Sequence, residues 1–222
     1  MSERKGLPAG DFSAWLRAAR HALAVEEGTD VDCTGCDACC SSSYFIHIRP
    51  EETRTLGRIP EELLAAAPGF PAGHVVLGYD TDGRCPMLDG GGMCSIYECR
   101  PFTCRAYDCR VFAAARIEAG GEDKARITEG AQRWEFAYPT RRDRDEHAAV
   151  QAAATFIREH AESFPGGAIP RDPSQLAIVA LKVYEVFLGD DGRPGSTAAR
   201  ATDEQVAAAI VQASREFDAG RG

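Results

Sequence analysis

Nine cysteines, Cys33, Cys36, Cys39, Cys40, Cys85, Cys94, Cys99, Cys104 and Cys109, crowd into the first half of a 222-residue chain, and none follows residue 109. Four of them fall within "CTGCDACC" at 33–40, which ends on a vicinal pair. Such density serves disulfides, a reactive thiol or a metal. The number is odd, which leaves at least one thiol outside any set of internal disulfides. The opening "MSERKGLPAGDF" has no apolar run of signal-peptide length, and the following "AWLRAARHALAV" is interrupted by Arg17, Arg20 and His21. Secretion is therefore not expected. A cytoplasmic chain meets a reducing milieu in which disulfide frameworks are scarce, so metal becomes the leading use for these thiols.

The formal net charge of −9 argues against an electrostatic nucleic-acid binder, which needs clustered Lys and Arg for phosphate contacts. Arg141, Arg142 and Arg144 alternate with Asp143, Asp145 and Glu146, which reads as a solvated helix start. The most apolar segment, "LAIVALKVYEVFL" at 176–188, is shorter than the ~20 residues that span a bilayer and contains Lys182 and Glu185. It is expected to be a buried helix. No nucleic-acid or membrane partner is expected, only an unidentified protein or small molecule.

Along the chain, Phe12, Trp15, Leu16, Ala19 and Leu23 give 13–27 a helical face, with Asp11 placed to cap it and Gly28 to stop it. "SYFIHI" at 43–48 reads as a strand, and Pro50 with Glu51 and Glu52 as another helix start. Between 74 and 97, "HVVLGY", "RCPML" and "MCSIY" alternate with the turn-rich "DTDG" and "DGGG". They predict a small antiparallel meander presenting Cys85 and Cys94. From 143 onward the pattern is helical. One helix stops at Pro165-Gly166-Gly167, a second is capped by Asp172 with Gln175 and Pro173 and closed by Gly189, and a third starts at Thr202 with Gln205 after a linker.

The expected fold is α+β, a cysteine-rich metal-centred core with a small meander surrounded by helices and a helical C-terminal portion. Residues 1–32 supply an N-terminal helix, 33–110 the cysteine-cluster domain, and 111–222 helices packed on the same core.

Thiolates are soft ligands that suit zinc and iron–sulfur clusters, and two-residue spacers let a turn aim successive sulfurs inward. Cys33, Cys36 and Cys39 have that spacing twice. Cys39 and Cys40 diverge along the backbone and do not readily close on one tetrahedral ion, so two centres or one polynuclear centre are easier. Eight ligands would supply two four-thiolate sites and leave one cysteine over.

"CTGCDACC" followed by "CPMLDGGGMCSIYECRPFTCRAYDC" resembles the YkgJ-type cysteine-cluster family, whose signature is CxxCxxCC and which is described as zinc- or iron-chelating. The resemblance covers 33–109, about a third of the chain. It implies that Cys33, Cys36, Cys39, Cys40, Cys85, Cys94 and Cys104 are the motif cysteines. Cys109 matches a "YDC" extension of relatives, and Cys99, which stands where relatives carry another residue, is the spare.

The resemblance leaves the metal open. Cys33, Cys36 and Cys39 match the first three ligands of a bacterial ferredoxin run, but the C-x3-C-P continuation is absent, and Cys85-Pro86 could supply a remote fourth. The flagellin lysine methylases carry a similar signature and are associated with an iron–sulfur cluster. Hairpin cysteine pairs equally suit structural zinc. An iron–sulfur cluster stands first, zinc second, and one cluster plus one zinc remains open. Tyr97, Arg100 and Arg105 are placed to steady a negatively charged site; Arg100 and Arg105 could instead pair with Glu98 or Asp108. His47 and His74 are read as ordinary histidines, and His147 and His160 lack metalloprotease spacing. No phosphate-binding loop or nucleophile elbow is found. The expected function is a cytosolic metal-binding protein, structural or electron-carrying. An enzyme that modifies a protein or small molecule, as the methylase resemblance suggests, and a metal-handling protein are the alternatives.

Overall fold

A computed structural model describes residues 6–220 apart from 30, 34, 168, 190, 191 and 193–200. The chain enters through a short strand, β1 (Leu7–Asp11), that runs directly into α1 (Phe12–Val25). Phe12, Trp15, Leu16, Ala19 and Ala22 share the buried face of α1, as their helical spacing dictates. Asp11 sits at the N-cap but makes no side-chain cap, and the helix closes on Glu26 in the left-handed region (φ 54°), two residues before the expected glycine stop.

The region around the cysteine run carries β2 (Ile46–Ile48), a single helical turn α2 (Thr53–Leu56), β3 (Leu64–Ala66) and β4 (Val75–Leu77). These strands form an antiparallel sheet in the order β2-β4-β3, with Ile48 opposite Val75 and Leu64 opposite Leu77. The expected meander is thus present but assembled from other segments. Of the three strands predicted in 74–97 only "HVVLGY" becomes one, and "RCPML" and "MCSIY" contribute a lone bridge, Leu88 with Cys94. The aspartates of the intervening turns explain why. Asp80 accepts from the amides of Asp82 and Arg84, and Asp89 from those of Gly91 and Met93, all within 2.8–2.9 Å, so donors that a ladder would use are held inside the turns. Ile48, Ile59, Leu77, Met87 and Ile96 make a small core beneath the sheet.

Two short helices follow, α3 (Phe102–Ala106) and α4 (Arg110–Ala115), then α5 (Ala125–Ala131) and β5 (Trp134–Ala137). β5 pairs in parallel with β1, a contact the sequence reading does not contain. The long helices are α6 (Arg141–Glu159), α7 (Pro173–Val183) and α8 (Asp203–Ala219). α6 starts earlier than expected because Thr140 and Asp143 form a reciprocal capping box. Thr202 and Gln205 form one as predicted, whereas Asp172 accepts from Gln175 and α7 passes into the 3-10 turn Tyr184–Phe187 without using Gly189. The linker expected at 190–201 falls almost wholly outside the described residues.

The main core lies among α1, α4, α6, α7 and α8, where Phe12, Leu16, Phe112, Val150, Ile157 and Leu181 are fully buried. The apolar segment at 176–188 is part of it, as expected. No helix among the described residues is long and apolar enough to cross a membrane.

Candidate metal centre

The cysteine run is held by its own backbone. The Cys36 amide donates to the Cys33 carbonyl (2.9 Å), and Gly35 takes φ 72°, a conformation that suits glycine in so tight a turn. Cys39–Ser41 form a 3-10 turn steadied by the Ser42 hydroxyl, which donates to the Ala38 carbonyl (2.7 Å). The Cys40 carbonyl then accepts from the Cys85 amide (2.7 Å), which ties the run to the Cys85–Cys94 loop. Cys104 rides on α3, anchored where Glu52 accepts from the Phe102 amide (2.5 Å) and the Thr103 hydroxyl donates to the His47 carbonyl (2.7 Å). Cys109 stands at the start of α4 with its Sγ accepting from the Trp134 indole N–H (3.2 Å).

All nine cysteines are free and partly buried. Cys33, Cys36, Cys39, Cys40, Cys85, Cys94 and Cys104 line one cavity of ≈ 200 Å³, whose remaining wall is largely apolar and includes Phe45, Leu77 and Met87. A smaller pocket of ≈ 50 Å³ is lined by Cys33, Cys36, Cys39, Cys40 and Cys109. Tyr107 belongs to both walls, its hydroxyl buried and beside Tyr44. Cys99 lines neither; it faces a polar cleft with Glu52, Glu98 and Arg105. Among the described residues no three His, Cys, Asp or Glu side chains converge on a point that could hold a metal ion. The thiols surround a space.

Burial is the first cause of the site's electrostatics. It pushes the Cys40 thiol up to about 12, with Cys85 and Cys94 adding to the rise. Cys109 is likewise up to about 12 through burial, opposed by the Trp134 hydrogen bond and reinforced by Asp108, Cys33 and Cys36. Cys104 is raised by burial and then by Cys40, Cys85 and Cys94, and Cys39 by burial and then by Cys109. Thiolates gathered in such a place need a compensating cation.

Of the residues expected beside the ligands, Tyr97 and Arg100 are at the site. The Tyr97 hydroxyl accepts from the Cys33 amide (3.3 Å) and donates to the Val31 carbonyl (3.4 Å). Arg100, 9% exposed, lies 3.8 Å from Cys33 Sγ and 3.7 Å from the Tyr97 ring centroid, and lowers the Cys33 thiol without overcoming its burial. Arg105 lines the polar cleft instead, its guanidinium 5.9 Å from the Phe102 ring centroid. Asp108 pairs with Arg110 (2.7 Å). His47 and His74 stack on each other and share a 2.9 Å hydrogen bond, outside both thiol-lined walls. His147 accepts from the Tyr138 hydroxyl and stays with α6 in the main core. Trp134 was missed because only the pairing of β5 with β1 brings it near Cys109; Tyr107 was within reach, inside the quoted "RAYDC".

Fold and site together define a cysteine-lined α+β domain. Residues 32–130 match the family model CxxCxxCC, described as "Putative zinc- or iron-chelating domain". The matched stretch lies between α1 and the long C-terminal helices. Neither the search of curated proteins nor the search of solved structures returned a match.

Proposed function

We propose that this chain is a cytosolic metal-binding protein in which Cys33, Cys36, Cys39, Cys40, Cys85, Cys94, Cys104 and Cys109 act as thiolate ligands to iron–sulfur, with zinc as the alternative and Cys99 as the spare. The observation that carries the reading is the ≈ 200 Å³ cavity walled by seven of these thiols from three separate stretches of chain. The donor set suits soft metals, and the buried Tyr107 hydroxyl on the same wall fits as well, since it can donate to a thiolate or sulfide.

Room favours the cluster over the ion. Structural zinc draws its sulfurs to about 2.3 Å from one point, whereas a cavity of ≈ 200 Å³ leaves space for an inorganic core. When bound, such a cluster supplies one-electron transfer or a rigid cross-link. Arg100 would offset its negative charge. Anaerobically purified protein should be coloured, with broad visible absorption that bleaches on reduction and returns on reoxidation. Colourless protein would overturn the iron–sulfur reading.

A further inference from the structure

We propose that the eight thiolates divide into two quartets, Cys33, Cys36, Cys39 and Cys109 around one centre and Cys40, Cys85, Cys94 and Cys104 around another, with the vicinal pair as the wall between them. This rests on the reading of the eight as ligands and goes beyond it, because eight thiolates could equally share one polynuclear centre.

The walls of the two cavities carry the division. Cys109 lines only the smaller, and Cys85, Cys94 and Cys104 only the larger, while the run 33–40 borders both. Packing separates part of each set. Cys36, Cys39 and Cys109 rest on the helical core, whereas Cys85 and Cys94, with Cys99, rest on the small core beneath the sheet. Within the run, Cys39 and Cys40 are neighbours in a 3-10 turn, where adjacent side chains point about 120° apart, so the two sulfurs do not readily close on one centre although both border both cavities. The 2.7 Å bond from the Cys85 amide to the Cys40 carbonyl ties the Cys40 backbone to the loop that walls the larger cavity. Cys33, Cys36 and Cys39 border the smaller cavity together with Cys109. Four thiolates each is the complement of a structural zinc or of a cubane cluster.

The test uses wild-type protein purified anaerobically, stripped of metal in steps by a chelator and alkylated at each step, with mass spectrometry reporting which thiols react. Cys99 should label at once, and the others in two blocks of four that match the quartets. One block of eight, or a block joining Cys109 to Cys85, would overturn the division while leaving metal binding intact. Protein without metal, with every thiol reactive from the start, would overturn the functional reading itself. Variants give a second readout. Cys109→Ser and Cys94→Ser should each lose about half of the metal, Cys94→Ser combined with Cys85→Ser should lose no more than Cys94→Ser alone, and Cys94→Ser combined with Cys109→Ser should lose nearly all. Complete loss from either single variant in protein that stays folded would contradict two centres.

Discussion

Tyr107 places a buried hydroxyl, beside Tyr44, between two groups of thiols with a proton to donate. With metal bound, a sulfur can accept it, and hydrogen bonds to sulfur raise the reduction potential of a cluster. Tyr107→Phe should therefore keep its metal content while its potential falls, measured by spectroelectrochemistry; an unchanged potential would remove Tyr107 from the site. Cys99→Ser should leave metal unchanged, because Cys99 faces the polar cleft. Asp143 gives a pH signature. Burial opposes its charge, but the Thr140 hydroxyl and the Ser13 and Thr140 amides hold its carboxyl well below the usual range. A depressed folded pKa adds stability that is fully present above the unfolded value of about 3.9 and is lost as pH falls on through the folded value. Asp143→Asn should then cost roughly 1–2 kcal/mol at pH 7 and progressively less as pH falls below about 4, read from urea unfolding. At this scale the cysteine run and its two-residue spacers were legible in the sequence, whereas the full set of motif cysteines came from the family resemblance; the structure places Tyr97 and Arg100 beside Cys33. Trp134 was not legible, since its place beside Cys109 depends on strands more than a hundred residues apart.

Elements whose signals are local were read well. The Thr202 and Gln205 box starts α8 as their spacing predicts, because a cap depends only on residues within one turn. Sheet pairing is a different problem. "LPAGD" carries Pro and Gly, which speak against a strand, yet it becomes β1 because β5 offers it an edge. The cysteine loop was read as paired strands because alternation cannot show that Asp80 and Asp89 consume the amides first. The small sheet has few buried residues to hold it, and Leu77, 1% exposed, lies at its centre. Leu77→Ala should cost about 2–5 kcal/mol and loosen the support of Cys85 and Cys94, so that its metal is lost to a chelator faster than from wild type. Equal loss rates would separate the sheet from the site.

For the whole molecule, the helices share a large core of their own, whereas the sheet and cysteine loops have little apolar burial to rely on. Metal affinity is folding free energy wherever the site is not otherwise preformed. Chelation should therefore leave most of the far-ultraviolet helical signal while sensitivity to proteolysis rises between residues 33 and 110; cooperative loss of all helix would show that the centre holds the entire chain. The cysteine pattern disclosed the chemistry of the site, but not that the thiols enclose a space, which depends on α3, the sheet and the Cys85–Cys94 loop closing over the run. That enclosed space is filled or it is not, and the iron, zinc and acid-labile sulfide content of anaerobically purified protein decides which. Iron and sulfide in equal amounts, at about four or more of each per chain, is the predicted result. About two zinc ions without sulfide would refute iron–sulfur, and protein free of both metals would contradict the thiolate centre altogether.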